Sequence, residues 1–122
     1  MFNNMAQASA PSFYAKLTYD PLTSFEPIGE VADVPMILVS RKNLPYTQVS
    51  SILAYAKANP GKFNYASAGI GGATHLNAEK FKLQAGFDAV HVPFKGTPEA
   101  ISDVIGGRSD WYFSPVSGAL PL

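Results

Sequence analysis

Apolar residues recur at helical spacing in three stretches of the chain. In the first stretch the apolar positions are Val49, Ile52, Leu53 and Ala56. This i, i+3, i+4, i+7 spacing places them on one face of a helix. Thr47 is positioned to cap the start of that helix, and Pro60 ends it, because proline cannot continue the backbone hydrogen-bond ladder.

The second and third helices carry clearer end signals. The second is predicted over about 73–85, with Gly86 as its C-terminal cap, and its inward residues are predicted to be Leu76, Ala78, Phe81, Leu83 and Ala85. The third starts at Thr97, a capping hydroxyl followed by a proline and an acidic residue in the first turn. It ends at Gly106-Gly107, and its inward residues are predicted to be Ala100, Ile101, Val104 and Ile105.

Short apolar segments alternate with these helices and predict strands. A long run over 28–39 is broken by Asp33 and Pro35, and its end, 36–39, is typical of a strand buried on both faces. Further strands are predicted over 63–67, 88–94 and 110–114. The order β-α-β-α-β-α-β predicts an α/β fold with a parallel sheet and helices packed on its faces. Before residue 28 we expect only a short helix over 11–17 and a turn at 19–22.

Length and charge narrow the functional classes. A chain of 122 residues supports one domain. Its formal net charge of zero argues against nucleic-acid binding, and the lack of cysteine excludes disulfides and thiolate chemistry. We find no run of apolar residues long enough to span a membrane, and residues 1–8 lack the features of a signal peptide.

A glycine-rich segment, Gly69-Ile70-Gly71-Gly72, follows the predicted strand 63–67 and opens the second helix. Glycines allow close approach to backbone amides, and the first N–H groups of a helix lack internal partners. Together with the helix dipole, these groups form a site for an anion such as a carboxylate, to which Ser67 and Thr74 add hydroxyl groups. A tight strand-to-helix turn without a ligand explains the same glycines equally well.

A second strand-to-helix loop contains Phe94, Lys95, Gly96 and Thr97. Gly96 and the helix start at Thr97 could make a second polar contact with a ligand, and Phe94 could form an apolar wall. Lys95 either contributes a positive charge to the site or is simply solvated. A third loop, 114–118, either lines the same cleft or leads out of the lobe.

The sequence contains no strong motif for catalysis, metal binding or cofactor binding. His75 and His91 are the only imidazoles; we expect His75 to pack or cap and His91 to be a satisfied buried histidine. Asp110 is expected to accept N–H groups from a loop. A dinucleotide fingerprint begins with Gly69-x-Gly71, but Thr74 replaces its third small residue, so we expect no cofactor and no enzyme.

The motifs in these loops resemble those of the tripartite tricarboxylate transporter substrate-binding proteins, the Bug receptors. The resemblance extends over about 13–122 and is carried in order by Tyr19-Asp20-Pro21, Phe25-Glu26-Pro27-Ile28, residues 34–39, residues 60–69, His75-Leu76, His91-Val92-Pro93-Phe94-Lys95-Gly96, and Gly106-Gly107 with Asp110. The series is more specific than any one motif.

This resemblance implies a lobe of a periplasmic-binding-protein type II (flytrap) fold that captures small organic carboxylates in the periplasm. It divides the chain into 1–27, part of a first lobe; 28–40, a crossing strand; 41–118, the second α/β lobe; and 119–122, the start of a return segment. The implied partners are an organic acid and a membrane permease, with self-association through the exposed lobe face as a further expectation. Gly72 and Phe94 replace the hydroxyl-bearing residues common in the family, which favours a less polar acid.

The site predicted by combining both arguments is a half-site for one carboxylate. Its residues are Ser67, Gly69, Gly71, Gly72, Thr74, Phe94, Gly96 and Thr97. Three other functions stay open from the sequence: the effector-sensing domain of a regulator, a truncated remnant, and a small Rossmann-like enzyme.

Overall fold

A computed structural model describes residues 3–121, so the predictions made for residues 1, 2 and 122 lie outside the described residues. The described chain forms five helices and four strands. The helices are α1 (Met5–Phe13), α2 (Val49–Ala58), α3 (Ala73–Ala85), α4 (Thr97–Ile105) and α5 (Val116–Ala119), and the strands are β1 (Met36–Ser40), β2 (Asn64–Ser67), β3 (Val90–Pro93) and β4 (Trp111–Pro115). Within residues 3–121 no helix combines the length and the apolar character needed to cross a bilayer.

The four strands form one sheet in the order β1-β4-β2-β3. β2 pairs in parallel with both β3 and β4, as the alternation of strands and helices predicted. Their side chains alternate between the two faces. Tyr65 and Trp111 belong to a core that includes residues of α2 and α3, whereas Ala66 and Tyr112 pack with α4. The predicted α/β lobe with helices on both faces of the sheet is therefore confirmed.

β1 differs from the predicted all-parallel arrangement, because it runs antiparallel to β4, from Met36 opposite Pro115 to Ser40 opposite Trp111. A helical connection is needed to join parallel strands, but it does not require the strands it joins to be parallel or adjacent. An antiparallel edge strand on a parallel sheet is a common arrangement. The edge position also explains why β1 is not buried on both faces: its side chains are half-buried or exposed.

Several predicted helix details were wrong. Thr47 does not cap α2, since Gln48 is the N-cap and makes no side-chain capping bond. Leu83 and Ile105, predicted to face inward, are 82% and 62% exposed. Both lie within a residue or two of a helix C-terminus, where little of the sheet remains to pack against. Val49, the first residue of α2, is exposed for the equivalent reason.

The N-terminal helix lies earlier than predicted, over Met5–Phe13 rather than 11–17. The Asn4 side chain caps it by accepting the N–H of Ala6 at 2.9 Å, and Pro11 sits in its last turn rather than near its start. The predicted turn at 19–22 is confirmed, since the Asp20 carboxylate accepts the N–H groups of Leu22 and Thr23.

Candidate functional site

The three parallel strands end at the same edge of the sheet, and the predicted site loops follow them there. Ser67, the last residue of β2, pairs with Pro93, the last residue of β3. The N–H of Phe94 donates to the carbonyl of Ser67 at 2.8 Å. The glycine loop, which we define as residues 68–72, and the second loop, residues 94–96, are therefore neighbours, as expected for a ligand site at strand carboxyl ends.

The glycine loop has a backbone that only glycine adopts readily. Gly69 and Gly71 have φ angles of 141° and 78°. At Gly71 a Cβ atom would also lie 3.1 Å from the Phe13 ring and 3.2 Å from the Ser9 hydroxyl. Both the backbone angle and the close neighbours therefore require glycine at position 71.

Most amides of this loop are already bonded within the protein. The N–H of Ala68 donates to Thr74 Oγ1 at 2.9 Å, that of Gly69 to Ser67 Oγ at 3.3 Å, and that of Gly71 to His75 Nδ1 at 3.1 Å. The N–H of Gly72 makes a long bond of 3.4 Å to the Gly69 carbonyl. The expectation that the glycine amides themselves are free for an anion was thus wrong for Gly69 and Gly71.

The free donors lie one to three residues after Gly72, in the first turn of α3. Gly72 is the N-cap and supplies no side-chain cap, and the first helical bond runs from the N–H of Leu76 to the Gly72 carbonyl at 3.0 Å. Within residues 3–121 the N–H groups of Ala73, Thr74 and His75 have no acceptor. A helix start with three unpaired amides favours an anion.

Ser67 and Thr74 support the loop from inside. Ser67 is fully buried, and its Oγ lies 2.6 Å from Nε2 of His91. Thr74 is 5% exposed and directs its hydroxyl oxygen to the Ala68 amide. The sequence reasoning placed both residues correctly at the loop, but their hydroxyl groups are engaged within the protein.

The second loop is closed by a side-chain contact and joined to the third. Glu99 Oε2 accepts the N–H of Lys95 at 3.1 Å, and Gly96, rather than Thr97, is the N-cap of α4. The Thr97 hydroxyl lies 3.0 Å from the Tyr112 hydroxyl, so it does not cap the helix as predicted. A Cβ at Gly118 would approach Thr97 Cγ2 to 2.9 Å, which places the third loop beside the second. Phe94 is half-buried and Lys95 is exposed.

A stacked pair of histidines lies directly behind the glycine loop. The rings of His75 and His91 are 4.1 Å apart at an angle of 12°, and Tyr65 stacks on His91 at 4.9 Å. Burial lowers the pKa of His75, and burial together with the neighbouring His75 lowers the pKa of His91 to about 4. The expectation that His75 packs or caps is confirmed, since its ring packs behind the loop and accepts the Gly71 N–H. His91 has the expected polar partner in Ser67 but is half-buried rather than buried.

Glu79 connects this pair to the charged surface. Its carboxylate accepts the Tyr65 hydroxyl and Lys82 Nζ, the latter at 3.0 Å, and lies 4.0 Å from His75 Nε2. Burial alone would raise the pKa of Glu79, but these two donors outweigh it and the pKa is lowered. Burial, and then the bond to Glu79, raise the pKa of Tyr65.

Helix α1 covers part of the glycine loop, which the sequence reasoning missed. The Ser9 hydroxyl donates to the Gly71 carbonyl at 2.5 Å, and the Phe13 ring lies 5.6 Å from the His75 ring. Asn4 followed by alanines was an available signal for this helix, because asparagine is a preferred N-cap. Its packing on a loop about 60 residues away has no local sequence signal.

The described chain also has features outside these loops. Residues 3–121 contain no cluster of three or more His, Asp or Glu side chains that could hold a metal ion. A cavity of about 430 Å³ lies at the opposite edge of the sheet, beside Ser40 and Trp111. Asp110, near that edge, was predicted to accept loop N–H groups; it does accept a backbone N–H, at 2.9 Å, but the donor is Asn64, the first residue of β2.

Comparison with known proteins gives a consistent assignment. The model of the tripartite tricarboxylate transporter family receptor (TctC) matches residues 1–121. Protein BugT of Bordetella pertussis (strain Tohama I) is 32% identical over 108 residues, covering 84% of this chain and 33% of BugT.

Solved structures agree with this match. A protein from R. palustris with adipate superposes with a TM-score of 0.83 at 33% identity, covering 89% of this chain and 36% of that chain. MatC from Rhodopseudomonas palustris with bound malate superposes with a TM-score of 0.83 at 26% identity. The match covers 93% of this chain and 38% of the MatC chain. The chain thus spans about a third of the length of the proteins it matches. With a family model that matches nearly its whole length, the chain belongs to the tripartite tricarboxylate transporter receptor family, the family of the Bug proteins.

Proposed function

We propose that this chain is one lobe of a solute-binding protein for small organic carboxylates, and that the first turn of α3 holds one carboxylate of the ligand. The observation that carries the proposal is the group of three unpaired N–H groups at Ala73, Thr74 and His75, behind an N-cap without a side-chain partner. The adipate and malate named for two solved relatives support the same ligand class.

The proposed half-site keeps the predicted residues but changes their roles. Gly69, Gly71 and Gly72 shape the loop, and Ser67 and Thr74 hold it from inside. Phe94, Gly96 and Thr97 line the neighbouring wall. The groups that donate directly to the carboxylate are the backbone N–H groups of residues 73–75, and no side chain is needed as a donor.

A proline substitution tests this proposal by removing one donor. Ala73 is the first residue of α3, a position where proline is well tolerated, and Gly72 already has the extended conformation that precedes proline. We expect Ala73→Pro to keep the fold and to weaken the response of the loop amides to millimolar adipate or malate in NMR titrations.

The matched control is Val49→Pro, which makes the same change at the first residue of α2, away from the site. It should leave the titration unchanged. Unaltered adipate and malate titrations in Ala73→Pro, or a wild-type chain whose 73–75 amides ignore both acids, would contradict the proposal.

Binding by this chain alone should be weak. One helix start supplies contacts for only one end of a dicarboxylate, and that gain is set against the cost of association and of removing water from the ligand. We expect calorimetry with citrate or glutamate to give no binding in the micromolar range. A micromolar dissociation constant would show that one lobe suffices and that a second lobe is not needed.

We propose binding rather than catalysis, although Ser67 and His91 have the separation of a nucleophile and its base. Ser67 is fully buried, and within residues 3–121 no carboxylate orients the other nitrogen of His91. Ester hydrolysis that Ser67→Ala abolishes would contradict this part of the proposal.

The partners and location follow from the family and are proposed at that level. The whole receptor acts in the periplasm and delivers its carboxylate to a membrane permease of the tripartite type. We also propose that this chain pairs with a second copy through the open edge of β1, since β1 has only β4 as a neighbour and Ile37 is 38% exposed.

A further inference from the structure

The geometry points to His75 as a positioning residue for the glycine loop. We propose that its neutral imidazole holds Gly71 in place, and that protonation of the ring releases the loop, so that the carboxylate site is shaped only while His75 is uncharged. The consequence for ligand binding rests on the proposed function, whereas the link between His75 and the loop stands without it.

The central contact is a backbone-to-ring hydrogen bond. The N–H of Gly71 donates to His75 Nδ1 at 3.1 Å, four residues along the chain, and both residues are buried. An imidazole nitrogen that accepts a hydrogen bond carries no proton, so the ring is neutral with its hydrogen on Nε2. Protonated histidine has donors on both nitrogens and would place an N–H against the Gly71 N–H.

Other groups hold the ring in the plane this bond requires. His91 stacks on one side of His75 at 4.1 Å, and the Phe13 ring of α1 contacts it at 5.6 Å. His91 in turn reaches Ser67, whose Oγ accepts the N–H of Gly69 at 3.3 Å. The two histidines therefore support the two positive-φ glycines of the loop, His75 directly and His91 through Ser67.

The charges around His75 come from three elements. Glu79 and Lys82 lie on its own helix, with Glu79 Oε1 at 4.0 Å from Nε2 and Lys82 bonded to Glu79. β3 contributes His91 and β2 contributes the Tyr65 hydroxyl, which is bonded to Glu79. The segment Met5–Phe13 of α1 contributes no titratable side chain. Burial and Lys82 outweigh the attraction of Glu79, so the pKa of His75 is lowered and the ring is neutral at pH 7.

Protonation of His75 Nδ1 is incompatible with the hydrogen bond from Gly71. If Nδ1 gains a proton, the Gly71 amide loses its acceptor and is left buried without a partner, which is costly. The loop then has to move, and Gly72, the N-cap of α3, moves with it. Acid therefore disturbs the helix start that we assign to the ligand.

An NMR pH titration of the 122-residue chain tests the link. From about pH 7.5 to about pH 4, we expect the Gly71 amide resonance to shift with the same midpoint as the ring carbons of His75. His75→Asn places an amide oxygen near the position of Nδ1 and does not titrate. In this variant the Gly71 amide should keep its wild-type environment at pH 7.5 and lose its pH response.

Two further variants separate positioning from packing. His75→Leu fills similar space without an acceptor, so the Gly71 amide should shift and exchange faster even at neutral pH. His91→Gln removes the stacked imidazole but keeps a polar side chain for Ser67. Whatever the starting position of the Gly71 resonance in this variant, it should still move with pH, because His75 still titrates. The inference is overturned if the Gly71 amide resonance does not change as His75 titrates. It is also overturned if His75→Asn disturbs the Gly71 amide as much as His75→Leu does.

Adipate titration separates the inference from the proposed function. If the wild-type chain responds to adipate, His75→Leu should bind about tenfold more weakly than His75→Asn, the effect of about 1.4 kcal/mol. Equal affinities would overturn the positioning role in binding. If no amide of the wild-type chain responds to adipate, the proposed function fails, and the Gly71 titration still decides the role of His75.

Discussion

At the scale of single residues, the sequence predicted the glycines, Ser67 and Thr74 at the loop but not which donors remain free. It also gave no indication that His75 and His91 stack on each other behind the loop. The amides of Gly69 and Gly71 are bonded by acceptors two to four residues away, Ser67 Oγ and His75 Nδ1. Hydrogen bonds of this kind depend on side-chain rotamers, which composition and spacing do not specify.

Asp110 is a residue whose predicted structural role can be tested. Its carboxylate bonds Arg41 Nε at 2.8 Å and the N–H of Asn64 at 2.9 Å, and Asn64 Oδ1 accepts the Asp110 N–H at 2.8 Å. We expect Asp110→Asn to lower the free energy of unfolding by about 1–3 kcal/mol, because bonds to a charged acceptor are lost. Urea denaturation followed by circular dichroism measures this change.

Asp33→Asn is the matched control for Asp110, since Asp33 is exposed and has no hydrogen-bond partner within residues 3–121. It should change the unfolding free energy by less than about 0.5 kcal/mol. Equal effects of the two substitutions would remove the assigned role of Asp110.

The lowered pKa of His91 predicts that the folded chain loses stability in acid. Its pKa is about 4 in the folded chain and 6.5 ordinarily, so between these values the unfolded chain binds a proton that the folded chain does not. The free energy of unfolding therefore falls as the pH drops from about 6.5 towards about 4. His91→Gln keeps a polar partner for Ser67 but does not titrate, so it should lose less stability than the wild type between about pH 7.5 and about pH 5.

Urea midpoints of both proteins at the two pH values check this prediction. Every other titratable group, including His75, is present in both proteins, so the difference between them reports the His91 imidazole. A variant that loses as much stability as the wild type would show that His91 is not protonated differently in the two states.

At the scale of elements, helices with two end signals were predicted closely and those with one were not. α3 and α4 match to within a residue at both ends: a glycine precedes and follows each of them, and α4 also has a proline in its first turn. Pro11 predicts a helix start, but in α1 it lies in the last turn, so the helix begins about six residues before the predicted start. The direction of β1 had no local signal, since it depends on its pairing with β4 across the chain.

Gly86 allows a test of one of these end signals. It caps α3 with φ of 66°, and a Cβ atom there would meet nothing within 4 Å. Gly86→Ala should therefore cost about 1–2 kcal/mol of stability through backbone strain alone. Gly29→Ala is the control, because Gly29 has open space around it and no positive φ. Equal unfolding free energies for the two variants would contradict the strain argument.

At the scale of the whole molecule, the sheet has two edge strands, β1 and β3, and β1 is the antiparallel one. β1 has a partner on one side only, and apolar residues before and within it are exposed, including Val31, Val34 and Ile37. Such an edge presents unpaired backbone groups to another strand. A second copy of the chain is the occupant that we propose for it.

Self-association should respond to a charge placed on that edge. We expect the mass measured by light scattering to rise with concentration for the wild type and to stay near that of a monomer for Ile37→Lys, because edge lysines oppose strand pairing. Leu83→Lys is the control: Leu83 is 82% exposed on α3 and lies away from the edge. If Leu83→Lys abolishes association equally, general surface hydrophobicity rather than the edge is responsible.

The position of Trp111 has a practical consequence. It is the single tryptophan, it is 2% exposed, and it packs against Tyr65, Phe63 and Phe81 with ring centroids 4.9–6.1 Å apart. It begins β4, at the edge of the sheet opposite the carboxyl ends that lead into the loops. Its fluorescence therefore reports the integrity of one aromatic core and little else. A shift of its emission maximum to longer wavelength indicates global unfolding. A change confined to the loops should leave the emission maximum unchanged.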